Sequence, residues 1–203
     1  MGIAQDENIG DQPGEMGDAL VAIKLPTGKT VANLWVSTHV IELFHDHTMT
    51  QWGTFITKYK ETETTTVGSL IEHMGDALRI IDPGAGRKPV QAIVNRFSTI
   101  VLFDNGDVVG LGMNQEMSLG RCTGSIIDPN YYVDIPSDNM LQSVPMENTP
   151  LIYFDGRLHG MKVKGLASNS FSHFCVITQE NKVVCWGLND HGQLGLGHSQ
   201  QLM

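Results

Sequence analysis

The pentapeptide Met16-Gly17-Asp18-Ala19-Leu20 returns unchanged as Met74-Gly75-Asp76-Ala77-Leu78, 58 residues later. A chain that repeats itself at this distance is built from stacked supersecondary modules, since one turn or one helix cannot span the interval. The segments after the two copies also match in kind. Val21 to Leu25 and Arg79 to Asp82 are short, largely apolar segments. Each runs into a turn, Pro26-Thr27-Gly28-Lys29 or Pro83-Gly84-Ala85-Gly86-Arg87.

Three further segments align without gaps over fourteen residues: Val40 to Gly53, Thr99 to Gly112 and Phe174 to Gly187. In the middle one, Asp104-Asn105-Gly106 separates Ile100-Val101-Leu102-Phe103 from Val108-Val109. Asn-Gly between apolar, β-branched runs predicts a tight hairpin, because both turn residues can take φ > 0. The alignment makes hairpins of the other two, with His45-Asp46-His47 and Gln179-Glu180-Asn181 at their tips. Successive closing glycines lie 59 and 75 residues apart, so the unit is about sixty residues with one insertion of sixteen.

The insertion falls within Arg121 to Gly160. Pro129, Pro136 and Pro145 and the turn dipeptides around them predict a loop there, neither strand nor helix. Thr54 to Thr66 is Thr-rich and strand-like. Leu70 to Leu78 has room for two helical turns, and no long amphipathic helix is evident. The expected fold class is all-β.

Hydrophobic content of 41% with 17% charged residues suits one folded domain over all 203 residues. Its expected units are approximately 14–71, 72–148 (with the insertion around 121–148) and 149–203. A net charge of −9 argues against a surface that tracks phosphates, so nucleic acid is not an expected partner. No apolar window reaches the roughly 18 to 20 residues that a bilayer span requires. The acidic start, Met1-Gly2-Ile3-Ala4-Gln5-Asp6-Glu7, carries no signal-peptide run.

The third copy has the most specific pattern: His173, Cys175, Cys185-Trp186-Gly187, Asn189 and Gly192-Gln193-Leu194-Gly195. It resembles a repeat of the regulator of chromosome condensation family, whose members form β-propellers of four-stranded blades. The second copy matches in part, through Val108-Val109, Gly112, Asn114 and Leu119-Gly120, and the first in its hairpin. The resemblance implies a partial or shortened propeller of about three blades. Even the smallest propellers need about four, so the two end faces of such an arc require cover.

His39, His45, Asp46 and His47 are the densest group of metal-capable side chains, but three of them fall at a hairpin tip, where solvent accounts for their polarity. No metal or cofactor is expected. Cys175 and Cys185 face each other across the third hairpin. They form either a disulfide, as in exported bacterial relatives, or two small buried apolar groups in a reducing compartment. Trp52 and Trp186 close equivalent hairpins and are expected to pack between blades, with Trp35 in the core. No phosphate-binding glycine loop and no nucleophile elbow exist, so no catalytic residues and no enzyme are expected.

The chain is therefore expected to be a non-enzymatic interaction or structural subunit, with other protein subunits as partners. Tyr131, Tyr132, Tyr153 and Phe154, on or beside the insertion, are its candidate contact residues. Two alternatives come from the resemblance: a nucleotide-exchange regulator of a small GTPase, and a secreted enzyme inhibitor.

Overall fold

The computed structural model describes residues 9–56, 64–84, 86–95, 98–113, 132–133, 144–145, 160–168 and 173–200. Three antiparallel meanders succeed one another. The first comprises β1 (Val31–Val36), β2 (His39–Phe44), β3 (Met49–Ile56) and β4 (Thr64–Val67). After the two-residue β5 (Ile81–Asp82) comes the second, from β6 (Pro89–Val94), β7 (Ser98–Phe103), β8 (Val108–Met113) and β9 (Tyr132–Val133). A short β10 (Val144–Pro145) precedes the third, made of β11 (Val163–Ala167), β12 (His173–Thr178) and β13 (Val183–Gly187). The fold is all-β, and its meanders are the blades of a partial propeller.

The three hairpins share one geometry. Phe44, Phe103 and Thr178 each donate a backbone N–H to the residue four places on, Thr48, Asp107 and Lys182, at 2.9 Å. The left-handed residue is the third of each loop: His47 (φ 69°), Gly106 (φ 81°) and Asn181 (φ 64°). Of the Asn105-Gly106 pair, Gly106 alone is left-handed. A three-residue loop closes with a single left-handed position, and a non-glycine can fill it at modest cost.

The repeated pentapeptide folds twice in the same way. Gly17–Ala19 and Gly75–Ala77 are 3-10 turns in which Leu20 N donates to Gly17 O at 3.1 Å and Leu78 N to Gly75 O at 3.0 Å. Their leading glycines have φ of 70° and 69°. Together with Ile71–His73 this is all the helix in Leu70 to Leu78, two short turns.

The insertion departs from its expected loop. Tyr132–Val133 becomes the outer strand of the second blade, Gly112 pairing with Val133 and Met113 with Tyr132. Val144–Pro145 pairs in parallel with Ile81–Asp82. Both strands answer the same demand: an edge such as β8 presents unpaired N–H and C=O groups, and a passing segment satisfies them whatever its turn propensity.

Candidate interaction surface

Each blade has two faces because side chains alternate along a strand. Ile41, Leu43 and Met49 of the first blade pack against Ala92, Val94, Val101, Phe103 and Val109 of the second. Ile100, Leu102 and Val108, on the second blade's other face, pack against Val163, Leu166, Phe174 and Val176 of the third. The two seams repeat one rule: the back face of a blade receives the front face of the next.

Polar groups fix these seams. His39 Nε2 lies 2.9 Å from Thr99 Oγ1 across the first. Burial pushes the His39 imidazole down to about 4. Across the second, the Gln91 amide closes a two-bond ring with Leu166, donating to its carbonyl and accepting from its N–H, each at 2.9 Å. Val163 N also donates to Gly106 O at 2.9 Å.

The same rule leaves two faces unmatched among the described residues. At the front of the first blade Leu34 pairs across from Glu42, as Ala92 does from Val101 and Leu166 from Val176. Ala92 and Leu166 are buried, yet Leu34 is 51% exposed and Val36 63%. At the back of the third blade Ile177 is 44% exposed and its register partner Val183 69%. Large apolar side chains in a row on a regular strand face mark a contact surface.

Glu42 stands in the middle of the front face, in the register position held elsewhere by valine. Only 3% exposed, it has a side-chain oxygen, Oε2, without a hydrogen-bond partner. Burial raises its carboxyl to about 7. Glu42 is absent from the sequence-derived candidates, although the ungapped alignment sets it opposite Val101 and Val176 and carried the signal.

The sequence-derived candidates do not gather in one place. Tyr131, Tyr153 and Phe154 lie outside the described residues, and Tyr132 is placed by its backbone in β9. Cys175 and Cys185 are register partners, with Cα atoms 4.1 Å apart and sulfur atoms at 2.06 Å. The histidine group does not converge: His39 is buried in the first seam, while His45 and His47 are exposed at the hairpin tip. Asp46 is occupied by Lys29 and by Thr48, whose N and Oγ1 lie at 3.1 and 2.6 Å. Partial burial opposes its ionisation, but these hydrogen bonds and the Lys29 charge prevail and hold it at about 2. Trp52 is buried beneath Met74 and Leu78. Trp186 is half-buried and stacked on Phe174 with ring centroids 5.8 Å apart, and Trp35 borders the first seam. Among the described residues no helix is long and apolar enough to cross a membrane.

Stacked antiparallel meanders with tryptophan-glycine hairpin ends define a propeller-type repeat protein. Residues 163–193 match the family model of the regulator of chromosome condensation (RCC1) repeat. The third blade thus carries an RCC1-like repeat. It is 44% identical over 43 residues to the ultraviolet-B receptor UVR8 of Arabidopsis thaliana, a stretch covering 21% of this chain and 10% of UVR8. Yeast RCC1 (Prp20), solved bound to Kap60, superposes with a TM-score of 0.56 at 21% identity, covering 84% of this chain and 32% of that one. Human WBSCR16 gives a TM-score of 0.56 at 16% identity, covering 86% and 38%. The chain therefore spans about a third of the length of these solved structures.

Proposed function

We propose that this chain is a non-enzymatic interaction or structural subunit of a larger protein assembly. One observation carries the proposal: Leu34 is exposed where the second and third blades bury Ala92 and Leu166, and Val36 is exposed where the second buries Val94. A face of that kind costs solubility when left bare and gains roughly 25 cal/mol per Å² of apolar area when covered. The division into units 14–71, 72–148 and 149–203 and the contact role of Tyr131, Tyr132, Tyr153 and Phe154 belong to the same proposal. Sizing of native extract, followed by crosslinking and mass spectrometry, tests it. The chain is expected well above its own 22.3 kDa, crosslinked to other polypeptides through its end faces. Elution as a free monomer would refute the subunit role.

A second function, as a regulator of nucleotide release from a small GTPase, draws its support from the likeness to yeast RCC1. A release assay across a panel of GTPases decides it, unchanged rates eliminating it. Cys175 and Cys185 are proposed to be oxidised to a bridge, supported by their placement as register partners. Intact mass with and without reductant and alkylating agent reads this directly. An oxidised pair would favour the secreted-inhibitor alternative.

A further inference from the structure

We propose that the third blade carries a thiol–disulfide exchange site, at which a low-molecular-weight thiol opens the Cys175–Cys185 bridge by attacking Cys185. The inference rests on the oxidised pair proposed above and adds its reagent, its point of attack and its leaving group.

The first observation is where the pair stands. Cys175 and Cys185 take the register places of Ile41 and Gln51 in the first hairpin and of Ile100 and Gly110 in the second. Ile41, Gln51 and Ile100 are buried, the isoleucines within the two seams. The cysteines are half-buried, on the back face that also exposes Ile177 and Val183. A bridge within reach of solvent exchanges with small thiols, whereas one sealed in a core resists them.

The second is direction. A thiolate attacks a disulfide sulfur along the line of the S–S bond, opposite the sulfur that leaves. The third sheet runs β11-β12-β13, so the far side of Cys175 faces β11, where Ala167 is its register partner. Among the described residues no strand pairs with the outer edge of β13, and the far side of Cys185 opens there. Attack therefore falls on Cys185.

The third is His173. Alternation puts it on the Cys175 face of β12, and its own register partner is Gly187, which has no side chain to intervene. Its Nδ1 is buried without a hydrogen-bond partner among the described residues. An imidazole N–H so placed stabilises a Cys175 thiolate, and a stabilised thiolate leaves faster. The cations of the flanking strand and hairpin tip are engaged elsewhere: Lys162 with Asp107, Lys182 with Glu180, and Lys164 with the Asn181 side chain.

In the exchange, the incoming thiolate bonds to Cys185 Sγ, the S–S bond breaks, and its electron pair stays on Cys175. Cys175 then takes up the proton that the thiol gave up. A second thiolate attacks the small-molecule sulfur of the adduct and releases Cys185. Two electrons thus pass to the protein, and two thiols leave as one disulfide. The hairpin stands throughout, because the pairs Phe174–Trp186 and Val176–Val184 bracket the cysteines and pack in the second seam.

Reduced glutathione, added to the native full chain, tests the proposal by acid quench, alkylation and peptide mass mapping. A Cys122→Ser background keeps the third cysteine from forming adducts. Glutathione is expected first on Cys185, without denaturant, with Cys175 as the alkylated thiol. His173→Asn is expected to slow opening about 5-fold. In a Cys185→Ser chain, His173→Asn is expected to raise the pH midpoint of Cys175 alkylation by about 1 unit, which a merely structural histidine would not do. Should His173→Asn fail to fold, the midpoint with His173 intact decides: below that of glutathione's own thiol it supports the site, and at or above it overturns it. A bridge that opens only in urea, a first adduct on Cys175, or a rate and midpoint indifferent to His173→Asn overturns the exchange site and leaves the bridge in place. Free thiols at Cys175 and Cys185 in the chain as isolated defeat the bridge itself, and the exchange site with it.

Discussion

Two identical pentapeptides in one molecule lead opposite lives. Met74 and Leu78 are buried against Trp52, whereas Met16 and Leu20 flank the same 3-10 turn in the open. The shared conformation therefore comes from the sequence itself, from a left-handed glycine and a turn hydrogen bond, and needs no packing. Burial is conferred by the neighbouring blade. In a stacked architecture local shape and stability separate cleanly, because each unit contributes its own fold and its neighbour contributes the interface.

Truncating equivalent leucines tests the contrast most directly. Leu78→Ala should cost about 2–4 kcal/mol in denaturant unfolding. Leu20→Ala should stay within about 0.5 kcal/mol. Equal costs would mean that the first pentapeptide is packed after all.

Glycines give a second, smaller contrast between a closed region and an open one. Gly53 has φ of 105°, and a Cβ there would sit 2.7 Å from the His39 Cα. Gly53→Ala should cost about 1–3 kcal/mol, since backbone must move and the conformation is strained. At Gly165, on the open back face, the nearest atom to a new Cβ is Ile177 Cδ1 at 4.0 Å. Alanine there should change stability by less than about 0.5 kcal/mol, again by denaturant melts.

Two buried titratable groups three residues apart in β2 carry the same contrast into pH. His39, in the closed seam, falls from 6.5 to about 4, so the folded state holds fewer protons and stability drops as pH falls through that window. Glu42, on the end face, rises from 4.5 to about 7, so the folded state holds more protons and stability drops as pH climbs from 4.5 to 7. Between pH 4.5 and 6.5 the two slopes oppose each other. Glu42→Val should therefore show a stabilisation that grows by about 1–3 kcal/mol from pH 4.5 to pH 8. It should also uncover the His39 slope below pH 6.5. A pH-independent difference in urea titrations would show that Glu42 is not desolvated.

Architecture was legible in the residues because repetition is itself a sequence property. The pentapeptide, the ungapped hairpins and the Cys-Trp-Gly ending announced a stacked fold, and the third copy pointed to the RCC1 repeat that its residues match. The two-residue strands β9 and β10 were not legible, since pairs that short carry no periodicity and exist only where an edge needs them. The turn at Asp104-Asn105-Gly106 was legible as a hairpin tip, since Asn-Gly between apolar runs marks one, and Gly106 takes its left-handed place. The candidate surface was half legible. Uncovered end faces came from counting blades, but loop aromatics such as Tyr131 drew attention away from Leu34, Val36 and Glu42. Exposure of a strand residue depends on what lies across the seam, and no local pattern encodes that.

Glu42 has a consequence for what the first blade owes to its surroundings. Valine fills the equivalent position at Val101 and Val176, where each seam is apolar. The carboxylate is already withdrawn from water in the single chain, so folding itself carries the cost of its charge, and uptake of a proton relieves that cost. One side chain thus ties the integrity of an otherwise apolar repeat to the proton supply around it.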